Sequence, residues 1–481
     1  MKERIGGEME RKNCWTLYSE EQLNELENLN AKYRAYLDNG KTERECVDVT
    51  VNMIEAAGYR EMETLIKNGE TVKAGDKVYS VIMNKAIVMY HIGEKPITEG
   101  MNILGAHIDS PRIDVKQNPL YDSDGLAYLD THYYGGIKKF HWVAQPLALH
   151  GVVVKKDGTI IELNVGENED DPVFFISDIL VHLSRNQMSQ PASNAIEGEA
   201  LDLIVGNKPL IIKNDEEKAE DSKDEKKKGV KDGIIEILKS TYGIEEDDFI
   251  SAELEIVPAG KAREVGFDRS MILAYGQDDR VCAYTSVQAM LDVEKVDRTI
   301  CCLIVDKEEI GSAGASGMQS MFFENSVAEL LNLMGEYTEL NVRRTLAHSC
   351  MLSSDVSAGY DPMFAGCFEK KNSAFLGNGM VINKYTGAGG KSGSNDASAE
   401  YVAQIRAIFE KRNINFQTAE LGKVDQGGGG TIAGLLAKYC MNVIDSGVAV
   451  LNMHAPYEAT SKADIYETYR GYKAFIEEAV H

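Results

Sequence analysis

The chain has 481 residues, 43% of them apolar and 26% charged, which is enough for two or three domains with a sizeable buried core. Its 51 Lys and Arg residues against 76 Asp and Glu residues give a net charge of −25, which argues against a nucleic-acid binder and against docking on an anionic membrane. Because no apolar run approaches the ~18 residues of a membrane-spanning helix and the first residues lack a signal region, we expect a cytoplasmic protein whose cysteines are reduced thiols.

The first part of the chain predicts two helices followed by strands. Ser19 and Gln22 have the spacing of a capping box, ahead of apolar residues at near-helical spacing, which predicts a helix after Ser19. A second helix is predicted over 43–57 and should end at Gly58. Strands are predicted over 78–83, 86–91 and 102–107.

The region from 113 to 263 differs in composition from the rest of the chain. It contains β-like runs at 151–155 and 159–163 and one predicted helix at 174–185. The stretch 213–229 has almost no apolar residues and cannot bury surface, so we expect a mobile charged loop there.

From residue 264 onward, predicted helices and strands alternate. Such alternation is typical of a mostly parallel or mixed sheet covered by helices. The predicted helices are 281–293, 318–337, 397–412, 431–439 and 461–479, and the predicted strands are 299–305, 347–352, 413–421 and 443–450.

Histidines and carboxylates follow several of the predicted strands. Ligands of open α/β sheets bind at the carboxyl ends of the strands, so these side chains should share one cleft. Imidazole and carboxylate ligands without cysteine suit zinc, manganese or cobalt, and a carboxylate can bridge two metals ~3.5–4 Å apart for hydrolysis. The candidates are His107, Asp109, Asp278, Asp279, Glu308, Glu309, Asp355 and His454.

Each of these motifs also has an ordinary structural interpretation. Glu308 and Glu309 could lie on a solvated face, Asp278 could cap a helix, and His454 could belong to a turn. Their coincidence at five strand or helix ends, in a chain with nine histidines, favours a metal centre. In that case one glutamate of the Glu308–Glu309 pair can ligate metal while the other serves as a base.

Two glycine-rich segments could bind phosphate. The residues 427–430 precede a predicted helix, and 390–392 resemble the end of a phosphate-binding loop. That loop needs a glycine five residues before Gly390, where Tyr385 stands, so a flexible turn is favoured for both segments.

In combination, the motifs His-x-Asp-Ser-Pro, Asp-Asp-Arg, Glu-Glu-x-Gly-Ser, Ser-x-Asp and Met-His resemble the aspartyl aminopeptidase / aminopeptidase I family of co-catalytic zinc metallopeptidases. Stretches at 134–136, 181–186 and 427–432 and Asp445 match as well, and the resemblance runs from the first helix to the last. It implies an α/β fold, in which a mixed sheet is sandwiched by helices. It further implies a catalytic domain in two segments, 1–112 and 264–481, with a β-rich dimerisation and lid domain inserted at 113–263.

The resemblance also implies a role for each site residue. His107 and Asp355 would bind the first metal, Glu309 and His454 the second, and Asp278 would bridge both. Glu308 would be the general base, and Asp109 would orient the His107 ring.

Two further residues would contact substrate. His182 would do so in a neighbouring subunit, and Lys384 would do so in its own. The family's aspartate-preferring members have a histidine where this chain has Ala358, and their lysine stands one place earlier, where this chain has Asn383. A strict preference for acidic N-terminal residues is therefore not expected.

The resemblance thus implies an aminopeptidase that acts on peptides with two divalent metal ions per subunit, zinc first, with cobalt and manganese as alternatives. It implies a homo-oligomer, a tetrahedral dodecamer. Two alternatives stay open from the residues: another two-metal amide hydrolase, such as a deacylase, and a non-catalytic peptide-binding assembly protein.

Overall fold

The computed structural model describes residues 12–210 and 229–481, together with the backbone of 4–5 and 8–9. The chain divides into two units. The first comprises Met1–Ser110, Ala262–Met453 and Tyr457–His481, and the second comprises Pro111–Lys261 and His454–Pro456. The predicted charged loop at 213–229 lies outside the described residues, except for Gly229.

Among the described residues, nine strands of the first unit form one mixed sheet. Asn102–His107 lies at its centre, between Ile300–Val305 and Cys350–Ser354, and pairs with both in parallel. Because these strands run in the same direction, their carboxyl ends meet at one edge. The full order is Phe416–Thr418, Met380–Asn383, Asn442–Gly447, Cys350–Ser354, Asn102–His107, Ile300–Val305, Ala86–His91, Lys77–Ile82 and Arg60–Glu61.

Helices bury both faces of this sheet. Along Ile300–Val305, alternate side chains belong to two different apolar clusters, as a strand covered on both faces requires. The prediction of a mixed sheet between helices is therefore confirmed. The longer helices are Glu20–Asn39, Glu43–Ala56, Met62–Asn68, Gln277–Leu291, Phe322–Leu333, Glu339–Ala347, Ala399–Lys411 and Lys462–Glu478, and a short one is Ala433–Leu436.

The first helix begins as its sequence predicts. Ser19 is the N-cap and accepts a hydrogen bond from the Gln22 backbone N–H, while the Gln22 side chain accepts one from the Ser19 N–H. Leu26, Leu29 and Tyr33 lie on its buried face. Capping and one apolar face together define this element in the sequence.

A smaller sheet completes the first unit. Its central strand Glu458–Ser461 immediately precedes the helix Lys462–Glu478, whose N-cap is Ser461. The strand order is Arg263–Val265, Met271–Ala274, Glu458–Ser461, Ala449–Leu451 and Ser357–Ala358.

The second unit is built around an antiparallel sheet. Its helices, Arg185–Met188 and Val230–Ile237, are short, so the unit is β-rich. The strand order is Ile160–Val165, Leu147–Val154, Ala252–Pro258, Arg112–Ser123, Leu126–Tyr134 and Leu203–Gly206.

The prediction of a helix over 174–185 is wrong. Phe174 forms a β-bridge with Leu147, Phe175 forms one with Ile204, and the helix observed nearby is only Arg185–Met188. The apolar residues that suggested a helix remain exposed, so they have no core to pack against. They are Ile179, Leu180, Val181 and Leu183.

Three later elements also differ from prediction. The strand predicted over 413–421 is only Phe416–Thr418, and the one predicted over 347–352 is Cys350–Ser354. The unpredicted helix Glu339–Ala347 precedes it, with Thr338 as its N-cap. None of the described helices combines the length and the apolar composition needed to cross a bilayer.

Gly447, at the end of the strand Asn442–Gly447, allows a close approach to Asp355, which follows the neighbouring strand Cys350–Ser354. A Cβ at this position would lie 1.9 Å from the carbonyl oxygen of Asp355 and 3.1 Å from Sγ of Cys282. Neither neighbour can retreat easily, because Asp355 N–H is bonded to Ser446 and Cys282 is fully buried. Glycine at 447 is therefore a packing requirement.

We expect Gly447→Ala to lower the free energy of unfolding by about 2 kcal/mol, as overpacking does in close-packed interiors. Circular dichroism in urea would show this as a lower midpoint. Gly366→Ala is the matched control, because a Cβ there meets no atom within 4 Å. Equal midpoints for the two variants would contradict the packing argument.

Candidate metal centre

The candidate centre lies where three parallel strands of the first unit end. His107 is the last residue of Asn102–His107, and Asp355 directly follows Cys350–Ser354. Beyond Ile300–Val305, the backbone turns at Lys307, with φ 67°, into the single 3-10 turn Glu308–Ile310. The sheet topology thus brings imidazole and carboxylates to one edge, as their sequence positions predict.

Asp278 and Asp279 reach the same edge from the start of a helix. They belong to Gln277–Leu291 but have non-helical backbone angles, and the peptide bond between them is cis. Oδ1 of Asp278 lies 3.3 Å from Nε2 of His107, and Oδ2 of Asp279 accepts a hydrogen bond of 3.3 Å from the His107 backbone N–H. Both aspartates are almost completely buried.

The carboxylate of Asp109 holds two of these segments together. It accepts backbone N–H groups from Glu308 at 3.0 Å and from Glu309 at 3.1 Å. Nδ1 of His107 lies 3.3 Å from Oδ1 of Asp109 and 3.0 Å from its carbonyl oxygen. Asp109 therefore fixes the turn that carries both glutamates and the ring of His107, which leaves Nε2 toward Asp278.

The donor atoms fit metal ions. Two sets of three residues share His107, and within each set the ligand atoms all lie within 4.8 Å of one another. In the described part of the chain, Oδ1 of Asp279 is buried without a hydrogen-bond partner. Nitrogen and oxygen donors at this density suit a zinc-type ion. The sets are His107, Asp279 and Asp355, and His107, Asp278 and Glu309.

Charge crowding perturbs these groups. Burial alone would lower the pKa of His107, but hydrogen bonds to Asp109 and Asp278 hold this pKa well above its usual value. Burial raises the pKa of Asp355 well above its usual range, and the charges of Asp279 and Asp278 raise it further. Bound cations would offset the repulsion that these carboxylates exert on one another.

For three predicted site residues, the structure gives only their local surroundings. His454 belongs to the second unit, where its Nδ1 is 3.1 Å from the carbonyl oxygen of Gly136. His182, also in the second unit, is exposed, and Lys384 of the first unit forms an ion pair with Asp396. The structure thus brings together six of the nine predicted residues: His107, Asp109, Asp278, Glu308, Glu309 and Asp355.

Sequence reasoning missed Glu458, and it noted Arg280 only as the third residue of the Asp-Asp-Arg motif, without a role. Oε2 of Glu458 accepts the backbone N–H of Asp278 at 2.9 Å, and Glu458 is only 1% exposed. Arg280 is buried and donates to the carbonyl oxygens of Ile108 and Lys41. The one signal for Glu458 in the sequence was a charged residue in a short strand. Its hydrogen-bond partner Asp278 is 180 residues away, so no local pattern connects the two.

The chain is similar to known proteins in sequence and in fold. The sequence model of the family described as aminopeptidase I zinc metalloprotease (M18) matches residues 36–476. A Clostridium acetobutylicum protein called probable M18 family aminopeptidase 1 is 57% identical over 467 residues, covering 97% of this chain and 98% of the relative.

Solved structures show the same relationship. The crystal structure of an M18 family aminopeptidase from Thermotoga maritima has a TM-score of 0.90 at 40% identity, covering 98% of this chain and 100% of that one. Aminopeptidase I from Clostridium acetobutylicum has a TM-score of 0.88 at 55% identity, covering 98% and 99%. The chain therefore belongs to the M18 family of aminopeptidase I zinc metalloproteases, which are peptide-bond hydrolases.

Proposed function

We propose that the chain removes the N-terminal residue from peptides at a two-metal centre, with Glu308 as the general base. The observation that carries this proposal is the pair of candidate ligand sets that share His107 at the carboxyl edge of the sheet. Two adjacent sets are what a two-metal centre requires. A deacylase would use the same arrangement, but the family membership favours peptides.

The proposed ligands are His107 and Asp355 for the first ion and Glu309 and His454 for the second, with Asp278 as the bridge. The 3.3 Å between His107 and Asp278 and the grouping of Asp278 with Glu309 support this assignment. Asp279, which groups with His107 and Asp355, is the competing ligand for the first ion. We propose zinc for both positions, with cobalt or manganese as substitutes.

Glu308 has the properties of a base that meets solvent. Its side chain is 15% exposed, and its Oε2 lies 4.0 Å from Nε2 of His107. Divalent ions, when bound, would supply Lewis-acid polarisation of the scissile carbonyl and lower the pKa of the attacking water. Glu308 would accept a proton from that water and deliver it to the leaving amine, while Asp109 holds the Glu308 backbone in place.

The proposed specificity is not restricted to acidic N-terminal residues. The ammonium group of Lys384 pairs with Asp396, which also accepts a hydrogen bond from Lys391 at 2.9 Å, so a substrate carboxylate would have to compete with Asp396 for Lys384. Ala358 offers no imidazole to a substrate carboxylate. A side-chain carboxylate of the substrate would therefore gain little from these two positions.

A panel of aminoacyl-anilides (Asp, Glu, Leu, Met, Lys, Ala) on metal-stripped protein resupplied with zinc, cobalt or manganese tests the activity. We expect metal-dependent release of the anilide and no strict preference for Asp and Glu. Glu308→Gln should bind zinc normally and lose about 10²–10⁴-fold in kcat, because only proton transfer is removed.

Asp278→Asn is the contrasting variant, which should lose zinc together with activity. Full turnover by Glu308→Gln would eliminate this base. Hydrolysis of N-acylated amino acids in preference to anilides with a free amine would identify a deacylase instead.

Glu458 is proposed as a positioning residue for the bridge. It contacts the Asp278 backbone, and its own carbonyl oxygen accepts from Gln277 Nε2, so it fixes the irregular first turn of the helix. Residues that orient metal ligands in this way commonly influence metal affinity as strongly as some ligands do. The carboxylate oxygen acts here as a hydrogen-bond acceptor, a role that an amide oxygen can also fill.

We therefore expect Glu458→Ala to weaken zinc binding by about 10–100-fold in a chelator competition assay. Glu458→Gln should retain most of the affinity, because its amide oxygen can accept the same N–H. Circular dichroism would establish that both variants are folded. If the alanine variant binds zinc like the unchanged protein, the positioning role is wrong.

We also propose a homo-oligomer, a tetrahedral dodecamer, in which the inserted region serves as dimerisation and lid domain and His182 reaches the substrate of a neighbouring subunit. The segment around His182 leaves large apolar side chains exposed: Val181 by 74%, Leu183 by 68% and Met188 by 77%. Monomeric proteins seldom leave such a group uncovered. The eight cysteines, all free thiols, support the proposed cytoplasmic location.

Mixing two impaired variants tests the exchange of His182 between subunits. His182→Ala and Glu308→Gln should each be nearly inactive alone. In mixed oligomers from co-expression, half of the subunits keep Glu308 and half of the neighbours keep His182. About one site in four therefore has both groups, and we expect about a quarter of the activity. Light scattering should give the mass of a dodecamer, whereas an active monomer or an inactive mixture would contradict the proposal.

A further inference from the structure

Four segments of the first unit line an open surface cavity of about 580 Å³, and none of the site residues contributes to its lining. We propose that this cavity binds a small organic anion, a carboxylate or phosphate with an apolar body, through Lys32 and Lys473. The lining residues come from the helices Glu20–Asn39, Gln277–Leu291 and Lys462–Glu478 and from the segment after Ala399–Lys411. Its volume lies within the range of small-molecule sites.

The carboxylates that line the cavity already have donors. Asp292 accepts from Tyr469 at 2.7 Å and from Gln288 at 2.9 Å. Glu25 accepts from Tyr466 at 2.5 Å, and Glu477 accepts from Arg412 at 2.8 Å. These hydrogen bonds engage oxygens of the three carboxylates, and Glu477 is also neutralised by Arg412, so the carboxylates are less available to ligate a cation.

The four cationic side chains that line the cavity differ in whether they form ion pairs. Arg412 is held by Glu477 and Glu478, and Arg470 is held by Glu467 at 2.8 Å. Lys32 and Lys473 have no ion pair with any residue that the structure describes. With these two lysines, the lining has four cations against three carboxylates, a small positive excess in a chain with a net charge of −25.

The rest of the lining favours an organic ligand over an inorganic ion. Leu29, Ile414 and Ala474 are buried apolar residues that form part of the wall, beside the rings of Tyr466 and Tyr469. An aromatic or aliphatic body would pack on this surface while its anionic group meets the lysines.

This cavity is separate from the metal centre. Both contact the helix Gln277–Leu291, but Asp278 lies at its first turn and Gln288 lies ten residues later, about 15 Å along the axis at 1.5 Å per residue. The metal-centre variants above leave the cavity wall unchanged, so the two sites can be tested independently.

Isothermal titration calorimetry on the zinc-loaded full chain would test the proposal. The probes are hippurate, phenyl phosphate and the neutral hippuramide, of which hippurate has no free amine and cannot be cleaved as an N-terminal residue. We expect one anion or both to bind at one site per subunit and hippuramide to bind at least about tenfold more weakly. Comparison of hippurate with phenyl phosphate would decide between a carboxylate and a phosphate ligand.

The double variant Lys32→Met/Lys473→Met should lose about tenfold or more in affinity for the bound anion, since both charge-assisted contacts are removed. Methionine keeps the helix propensity and the stem of lysine. The matched control is Lys95→Met/Lys438→Met, which changes two exposed lysines outside the cavity. Equal affinity in both double variants, equal binding of hippuramide, or no saturable binding of either anion would overturn the proposal.

Discussion

The carboxylate of Asp109 connects the parts of the chain on which the candidate centre depends. One side chain holds the ring of His107 and both backbone N–H groups of the Glu308–Glu309 turn, although Asp109 and Glu308 are 199 residues apart. Without it, two strand ends would present their ligands independently. With it, the imidazole and the turn that carries the two glutamates are held together by a carboxylate that is itself fully buried.

Two further residues hold this edge in place: Glu458 in the smaller sheet of the first unit and Arg280 in the helix Gln277–Leu291. Glu458 accepts a hydrogen bond from the Asp278 backbone N–H. Arg280 donates hydrogen bonds to the carbonyl oxygens of Ile108, which follows His107, and of Lys41, which lies between the first two helices. Gly447 lets Asp355 approach without a clash. The ligands are thus set by backbone contacts more than by contacts among themselves, so that the fold can hold several like charges close together.

The sequence carries enough information to predict the sheet and most of the centre. His107 ends one apolar strand, Glu308 and Asp355 follow two others, and parallel strands necessarily bring their carboxyl ends to one edge. The fold class and the family follow from the same residues, and both are confirmed.

Other features depend on tertiary contacts that no local pattern encodes. Glu458 looks like any glutamate in a short strand until the fold brings Asp278 to it. The apolar spacing at 174–185 imitates a helix, but those side chains remain exposed, and pattern alone cannot tell an unburied apolar face from a packed one. The choice between Asp278 and Asp279 depends on their positions relative to His107, Glu309 and Asp355, which only the structure gives.

The thiol of Cys282, which would crowd a side chain at position 447, has a consequence for the chemistry of the centre. Cys282 is fully buried, and burial together with the charge of Asp279 raises the pKa of this thiol well above its usual value. Burial therefore favours the protonated thiol, which is a weaker metal ligand than a thiolate. The donors that the described residues gather here are nitrogen and oxygen, which hold several first-row metals without strong discrimination. The metal content of the purified protein should then follow the supply in the host cell and the growth medium.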